Sequence, residues 1–161
     1  MLKNHVQILP SFQTAAWHSR KKVGNNWERG ILLMEKTVFL AKCENYRPYE
    51  VKAAVQRILE GFGGLETFAK KGQKVLLKPN LVMASGPENA ATTHPEIVLA
   101  VAQAFLGIGC HVTIADSSGG PYHPSLLKRL YERTGMDSIS TKSKAVLNFD
   151  TGSKLVEYAE G

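Results

Sequence analysis

Between residues 74 and 120 the chain gathers a cation (Lys78), an amide (Asn80), four hydroxyls (Thr92, Thr93, Ser117, Ser118), an imidazole (His94), a carboxylate (Asp116) and two glycines (Gly119, Gly120). Donors of this kind beside the amides of a helix N-terminus favour a small anionic ligand such as a phosphate or a carboxylate. Within the set, His94 could shuttle protons near neutral pH, and Asp116 could orient a ribose, hold Mg²⁺ or act as a base. Each residue also has a structural reading. Lys78 can snorkel from a strand end, Asn80 can close a turn, Thr93 can cap a helix, His94 can be a hydrogen-bonded core histidine, and Asp116 can make an Asx turn.

Other chemistries find less support. Ser117 and Ser118 lack the Gly-x-Ser-x-Gly elbow of a serine nucleophile, and Gly61-Phe62-Gly63-Gly64 follows a helical pattern instead of a strand, so it is no dinucleotide fingerprint. His111 and His123 have no partners at metal-ligand spacing, and Cys43 and Cys110 stand far apart, reading as reduced thiols near strands. No metal is expected.

The elements that must position these groups follow from periodicity. Thr37 to Cys43 is β-branched, aromatic and apolar and reads as a first strand; Val51, Val55, Ile58, Leu59 and Phe62 recur at helical spacing up to the glycines at 61–64. Val75 to Leu77 is a short apolar run typical of a strand covered on both faces, ended by Pro79. A long loop, Asn80 to Ala91, leads to a helix through Ile97, Val98, Val101, Ala102 and Phe105, with Thr93 expected as its cap, Glu96 reaching back to it and Pro95 in the first turn. Gly107 and Gly109 close that helix. His111 to Ala115 is a third strand, Ser125 to Arg133 a third helix, Ala145 to Phe149 a fourth strand, and Lys154 to Tyr158 a candidate short strand.

The order βαβαβαβ gives an α/β fold, an open, mostly parallel sheet with helices packed on it. Parallel strands bring Cys43–Asn45, Lys78–Asn80 and Asp116–Gly120 to one sheet edge, and the helix opened by Thr92–His94 starts there too. Ligands in such sheets sit at the carboxyl ends of the strands.

A chain of 161 residues fits one domain. Its net charge of +6 is concentrated at the start, where Lys3, Arg20, Lys21, Lys22 and Arg29 face only Glu28. From Met34 on, 15 basic residues meet 13 acidic ones, which gives no basis for a nucleic-acid partner. Residues 1–33 show no sustained period and read as a disordered extension; a purine-rich codon reading of Trp27 to Gly30 suggests that translation starts at Met34, leaving 34–161 as the domain. No apolar run is long enough to cross a membrane, and the expected location is the cytoplasm. The chain reaches Gly161 without a closing amphipathic helix, so the expectation is an incomplete domain, a fragment.

Four ordered motifs, Val75-Leu-Leu-Lys-Pro-Asn-Leu-Val82, Thr92-Thr-His-Pro-Glu-Ile-Val98, Gly109-Cys-His-Val-Thr-Ile114 and Asp116-Ser-Ser-Gly-Gly120, resemble the N-terminal part of the domain-of-unknown-function 362 family. Val38-Phe-Leu-Ala-Lys42 with Tyr46 is similar to that family's start, so the resemblance runs from about residue 36 to 158. It implies a bacterial or archaeal α/β protein whose longer members carry a ferredoxin-like module with four-iron four-sulfur clusters. This chain holds no such cysteines, so a cluster is implied for the full-length protein only. The expected partners are a small anionic ligand and the missing C-terminal half or ferredoxin-like domain, in a redox or iron–sulfur-linked role. A racemase or isomerase domain, or a non-catalytic module docking a ferredoxin partner, are the alternatives, the first by a looser likeness in layout to nickel-pincer lactate racemases.

Overall fold

The computed structural model describes residues 5–7, 20–23, 26–29, 38–117 and 123–152. Four strands, β1 (His5–Gln7), β2 (Arg20–Val23), β3 (Asn26–Arg29) and β4 (Leu40–Lys42), precede helix α1 (Pro48–Gly61). Strand β5 (Lys74–Leu77), helix α2 (Pro95–Gly107), strand β6 (His111–Ile114), helices α3 (Pro124–Thr134) and α4 (Asp137–Lys142) and strand β7 (Val146–Leu147) follow.

The centre is an α/β unit. Strands β5, β6 and β7 lie side by side in that order and are parallel, with Leu76, Thr113 and Val146 in one cross-strand row and Leu77, Ile114 and Leu147 in the next. The second row points at the helices. Val112, Ile114 and Leu147 are buried there against Val98, Ala102 and Phe105 of α2, Leu127, Leu130 and Tyr131 of α3, and Ile139 of α4. Sequential order with both crossovers of the usual hand puts both connections on one face.

The other face carries a correction. The run Val75–Leu77 was expected to be covered on both sides, yet β5 alternates between partly buried and exposed positions, and Leu76 and Val146 are both exposed. Helices α2, α3 and α4 pack on the face of the Ile114 row, and Leu76 and Val146 lie on the face turned away from them.

A second correction concerns the first strand. Within Thr37–Cys43 the strand is Leu40–Lys42, and it pairs antiparallel with β1 instead of adding a fourth parallel strand. The reason lies in α1, whose Val51, Ala54, Val55, Ile58 and Leu59 pack on Ala41 and Cys43 from one side and Ala100 of α2 from the other. The β4–α1 pair therefore stacks on α2, whose Leu99 and Ala102 face the sheet cluster while Ala100 faces this one. Strands β2 and β3 form a separate antiparallel pair within the segment 1–33.

Two further differences are local. Helix α2 is capped by His94 and not by Thr93: the His94 Nδ1 accepts from the Glu96 amide at 3.2 Å, whereas the Thr93 hydroxyl accepts from the Asn80 amide at 2.9 Å. Helix α4 was not expected, because its Ser and Thr side chains favour caps and turns. Here their hydroxyls bond back into the helix, Ser138 to the Gly135 carbonyl and Thr141 to the Ser138 carbonyl, both at 2.8 Å. Gly135 makes the join from α3 possible at φ +74°, with the Met136 amide reaching back to the Tyr131 carbonyl. The candidate strand Lys154–Tyr158 lies outside the described residues.

Candidate functional site

The expected edge exists and is built from three connections. Strand β5 ends at Leu77 and delivers Lys78, Pro79 and Asn80; β6 ends at Ile114 and delivers Ala115, Asp116 and Ser117; α2 opens beside them with Thr92, Thr93 and His94. The ladder holds these ends in step, since the Ala115 amide donates to Leu77 and the Asn148 amide to Ile114.

Asp116 is the joint. Its side chain is 3% exposed; one carboxylate oxygen pairs with the Lys78 ammonium and the other accepts from the Leu81 amide at 2.8 Å. A buried carboxylate is tolerated when its oxygens are matched by a cation and a backbone donor. Asp116 thus ties the segment after β6 to the segment after β5. Lys78 itself remains 63% exposed, and an ammonium has three donors, so pairing with Asp116 leaves it able to meet a ligand at the surface.

The loop and the helix start are locked by a reciprocal pair. Asn80 donates its amide to the Thr93 hydroxyl, and the Thr93 amide donates to the Asn80 carbonyl at 3.0 Å. Both the hydroxyl and the amide of Thr93 are therefore engaged in fixing the loop. Thr92 differs: its hydroxyl oxygen is buried and has no hydrogen-bond partner among the described residues. Ser117 is exposed, and Ser118, Gly119 and Gly120 lie outside the described residues.

His94 is held through one ring nitrogen and through its ring face. Its ring lies flat on the ring of Tyr46, centroids 3.6 Å apart and planes within 5°. Burial pushes its pKa below the ordinary value of 6.5, and the Glu96 carboxylate works against that shift. Glu96 is in turn held by Lys142 of α4 at 3.1 Å. Tyr46 brings the Cys43–Asn45 segment to the edge through this stack and not through sheet pairing.

Three residues escaped the sequence reading. Tyr46 was noticed only for the family likeness, although it follows β4 as Asp116 follows β6. Asn148 and Asp150 follow β7 at the same edge, folded on themselves by the Asp150 amide to Asn148 Oδ1 and the Gly152 amide to Asp150 Oδ1. The rule that selected Lys78 and Asp116 applies to them equally. Among the described residues no three His, Cys, Asp or Glu side chains are grouped to hold a metal ion, and Cys43 and Cys110 are free, buried thiols.

A family model for a domain of unknown function, DUF362, matches residues 75–161, more than half of the chain. The chain belongs to the DUF362 family. The DUF362 match takes in the three-strand sheet from Val75 onward with the edge just described, and starts after β4 and α1, so it is shorter at the front than the resemblance from residue 36. A thylakoid-associated protein of Synechocystis is 38% identical over 84 residues, which are 52% of this chain and 26% of the relative. This DUF362 chain therefore spans well under half of that relative's length. No solved structure matches it. Among the described residues no helix is long and apolar enough to cross a membrane.

Proposed function

We propose that this DUF362 chain binds a small anionic ligand or cofactor, carrying a phosphate or carboxylate, at the carboxyl ends of β5 and β6. Lys78 supplies the charge, Asn80, Thr92 and Thr93 shape the wall on the α2 side, and Ser117 stands on the β6 side. The observation that carries the reading is the exposed Lys78 ammonium, fixed by a buried carboxylate at a strand end where two segments and a helix start converge. In the full-length protein we place this site in redox or iron–sulfur-linked metabolism, with the cluster on a ferredoxin-like domain outside this chain. The setting we propose is cytoplasmic, and the thylakoid association of the Synechocystis relative is accommodated by peripheral contact.

Titration calorimetry with pyrophosphate and with succinate tests the site. Wild-type chain is expected to bind at least one of the two, and Lys78→Met to weaken it by about tenfold or more, the worth of a charge-assisted hydrogen bond. Equal binding by both proteins would remove Lys78 from the site. A racemase or isomerase domain is the second reading, favoured by an imidazole and an ammonium on one sheet edge. The non-catalytic module docking a ferredoxin partner draws instead on the exposed Leu76 and Val146 of the opposite face.

A further inference from the structure

His94 has one ring nitrogen assigned by its surroundings. Nδ1 accepts the Glu96 amide, which leaves the proton of a neutral imidazole on Nε2. A second proton could enter only at Nδ1, where it would replace an acceptor by a donor facing an N–H group. The start of α2 also presents the positive end of the helix dipole to the ring. The ionisable groups on the elements around it are Tyr46, which stacks on its face, Arg47 and Glu50, paired beside Tyr46, Lys52 of α1, which lines a groove with Glu96, Glu96 itself, already paired with Lys142, and the Lys78–Asp116 pair at the strand ends. Among the described residues Nε2 has no hydrogen-bond partner, and the stack on Tyr46 fixes the plane in which its N–H points.

We propose that His94 is held as the neutral Nε2–H tautomer and serves the strand-end site as an uncharged hydrogen-bond donor to an oxygen of the ligand, not as a proton shuttle. The donor role rests on the strand-end reading above; the tautomer does not. The ligand class is narrowed accordingly: the atom opposite Nε2 is a carboxylate, carbonyl or phosphoryl oxygen. Binding is then carried by one fixed cation, Lys78, and one neutral donor, so it does not strengthen as pH falls through the histidine range.

Two measurements separate the parts. In ¹⁵N-edited NMR of the unliganded chain, His94 is expected as the Nε2–H tautomer, titrating below 6.5; an Nδ1–H tautomer or an imidazolium persisting at neutral pH would overturn the proposal. Sulfate, whose charge is constant in this range, probes the donor. Wild-type affinity is expected to be level between about pH 7 and 8, above the His94 titration, and His94→Asn, which keeps a cap acceptor for the Glu96 amide, is expected to weaken binding about tenfold. Affinity that climbs as pH falls, or an unchanged His94→Asn affinity, contradicts the donor role. Failure of the wild-type chain to bind sulfate, pyrophosphate and succinate alike removes the strand-end reading and the donor role together; failure with sulfate alone removes only the donor role, and the tautomer result stands by itself. The NMR arm uses no variant, so misfolding of His94→Asn leaves it decisive.

Discussion

His94 and His123 open successive helices by the same device and serve different surroundings. Each is followed by a proline in the first turn, and each accepts, through Nδ1, the amide two residues on, from Glu96 at 3.2 Å and from Ser125 at 3.3 Å. The proline removes one unsatisfied donor and the imidazole covers another, so the pair His-Pro is a complete local start signal. Beyond the cap the two part. His123 is exposed and shares its Nδ1 with the Ser125 hydroxyl at 2.9 Å, whereas His94 is half-buried, stacked on Tyr46 and flanked by an acid that α4 holds in place. Local sequence makes the cap, and tertiary packing builds one cap into the sheet edge.

Asp116 stands between the two caps, and its loss is expected to have the largest effect. Asp116→Ala leaves the Leu81 amide without its acceptor and Lys78 without its partner; because Lys78 is largely exposed, the ion pair adds little and the loss is set by the amide and the cavity, about 2–3 kcal/mol in urea unfolding. Asp116→Asn, which keeps an acceptor for Leu81, should recover much of it. The caps come next. His94→Ala should cost about 1–2 kcal/mol and His123→Ala about half that, since only the first also gives up a ring stack. Equal losses would mean that the stack on Tyr46 contributes nothing and that the caps are equivalent.

Smaller effects sharpen the contrast. Tyr46→Leu is expected to cost about 0.5–1.5 kcal/mol and to bring the His94 titration back toward 6.5 as its ring gains solvent. The acid side follows from linkage. With the folded pKa of His94 below 6.5, the unfolded chain takes up a proton before the folded one does, so this group's contribution is complete above 6.5 and is lost as pH falls from there through the folded value. Unfolding curves of wild type and His94→Asn should therefore converge over that interval, and a gap that widens on acidification would refute the assignment.

Much of this was legible in the chain itself. The three parallel strands, the helices α1, α2 and α3 and the meeting of Lys78, Thr93, His94 and Asp116 on one edge follow from periodicity and from the topology of βαβ units. What was not legible depended on partners distant in sequence. Thr93 has the residues of a capping box, with Glu96 three positions on, yet its hydroxyl is taken by Asn80 across the loop and the cap passes to His94. Val75-Leu-Leu77 has no polar residue to betray an uncovered face. Leu40–Lys42 reads as a sheet strand by composition, and only the packing of α1 on α2 places it elsewhere. Helix α4 hides behind Ser and Thr residues whose hydroxyls turn inward.

The central claim is that the carboxyl ends of β5 and β6 with the start of α2 form one ligand site. Amide NMR of the chain during a pyrophosphate titration tests it most directly. Saturable shifts concentrated on Lys78, Asn80, Thr92, Thr93, His94 and Ser117, which in Lys78→Met need about tenfold more pyrophosphate or more, are the predicted result. Shifts concentrated instead on Lys52, Gln103 and Lys142, which line a separate groove between α1, α2 and α4, would contradict it.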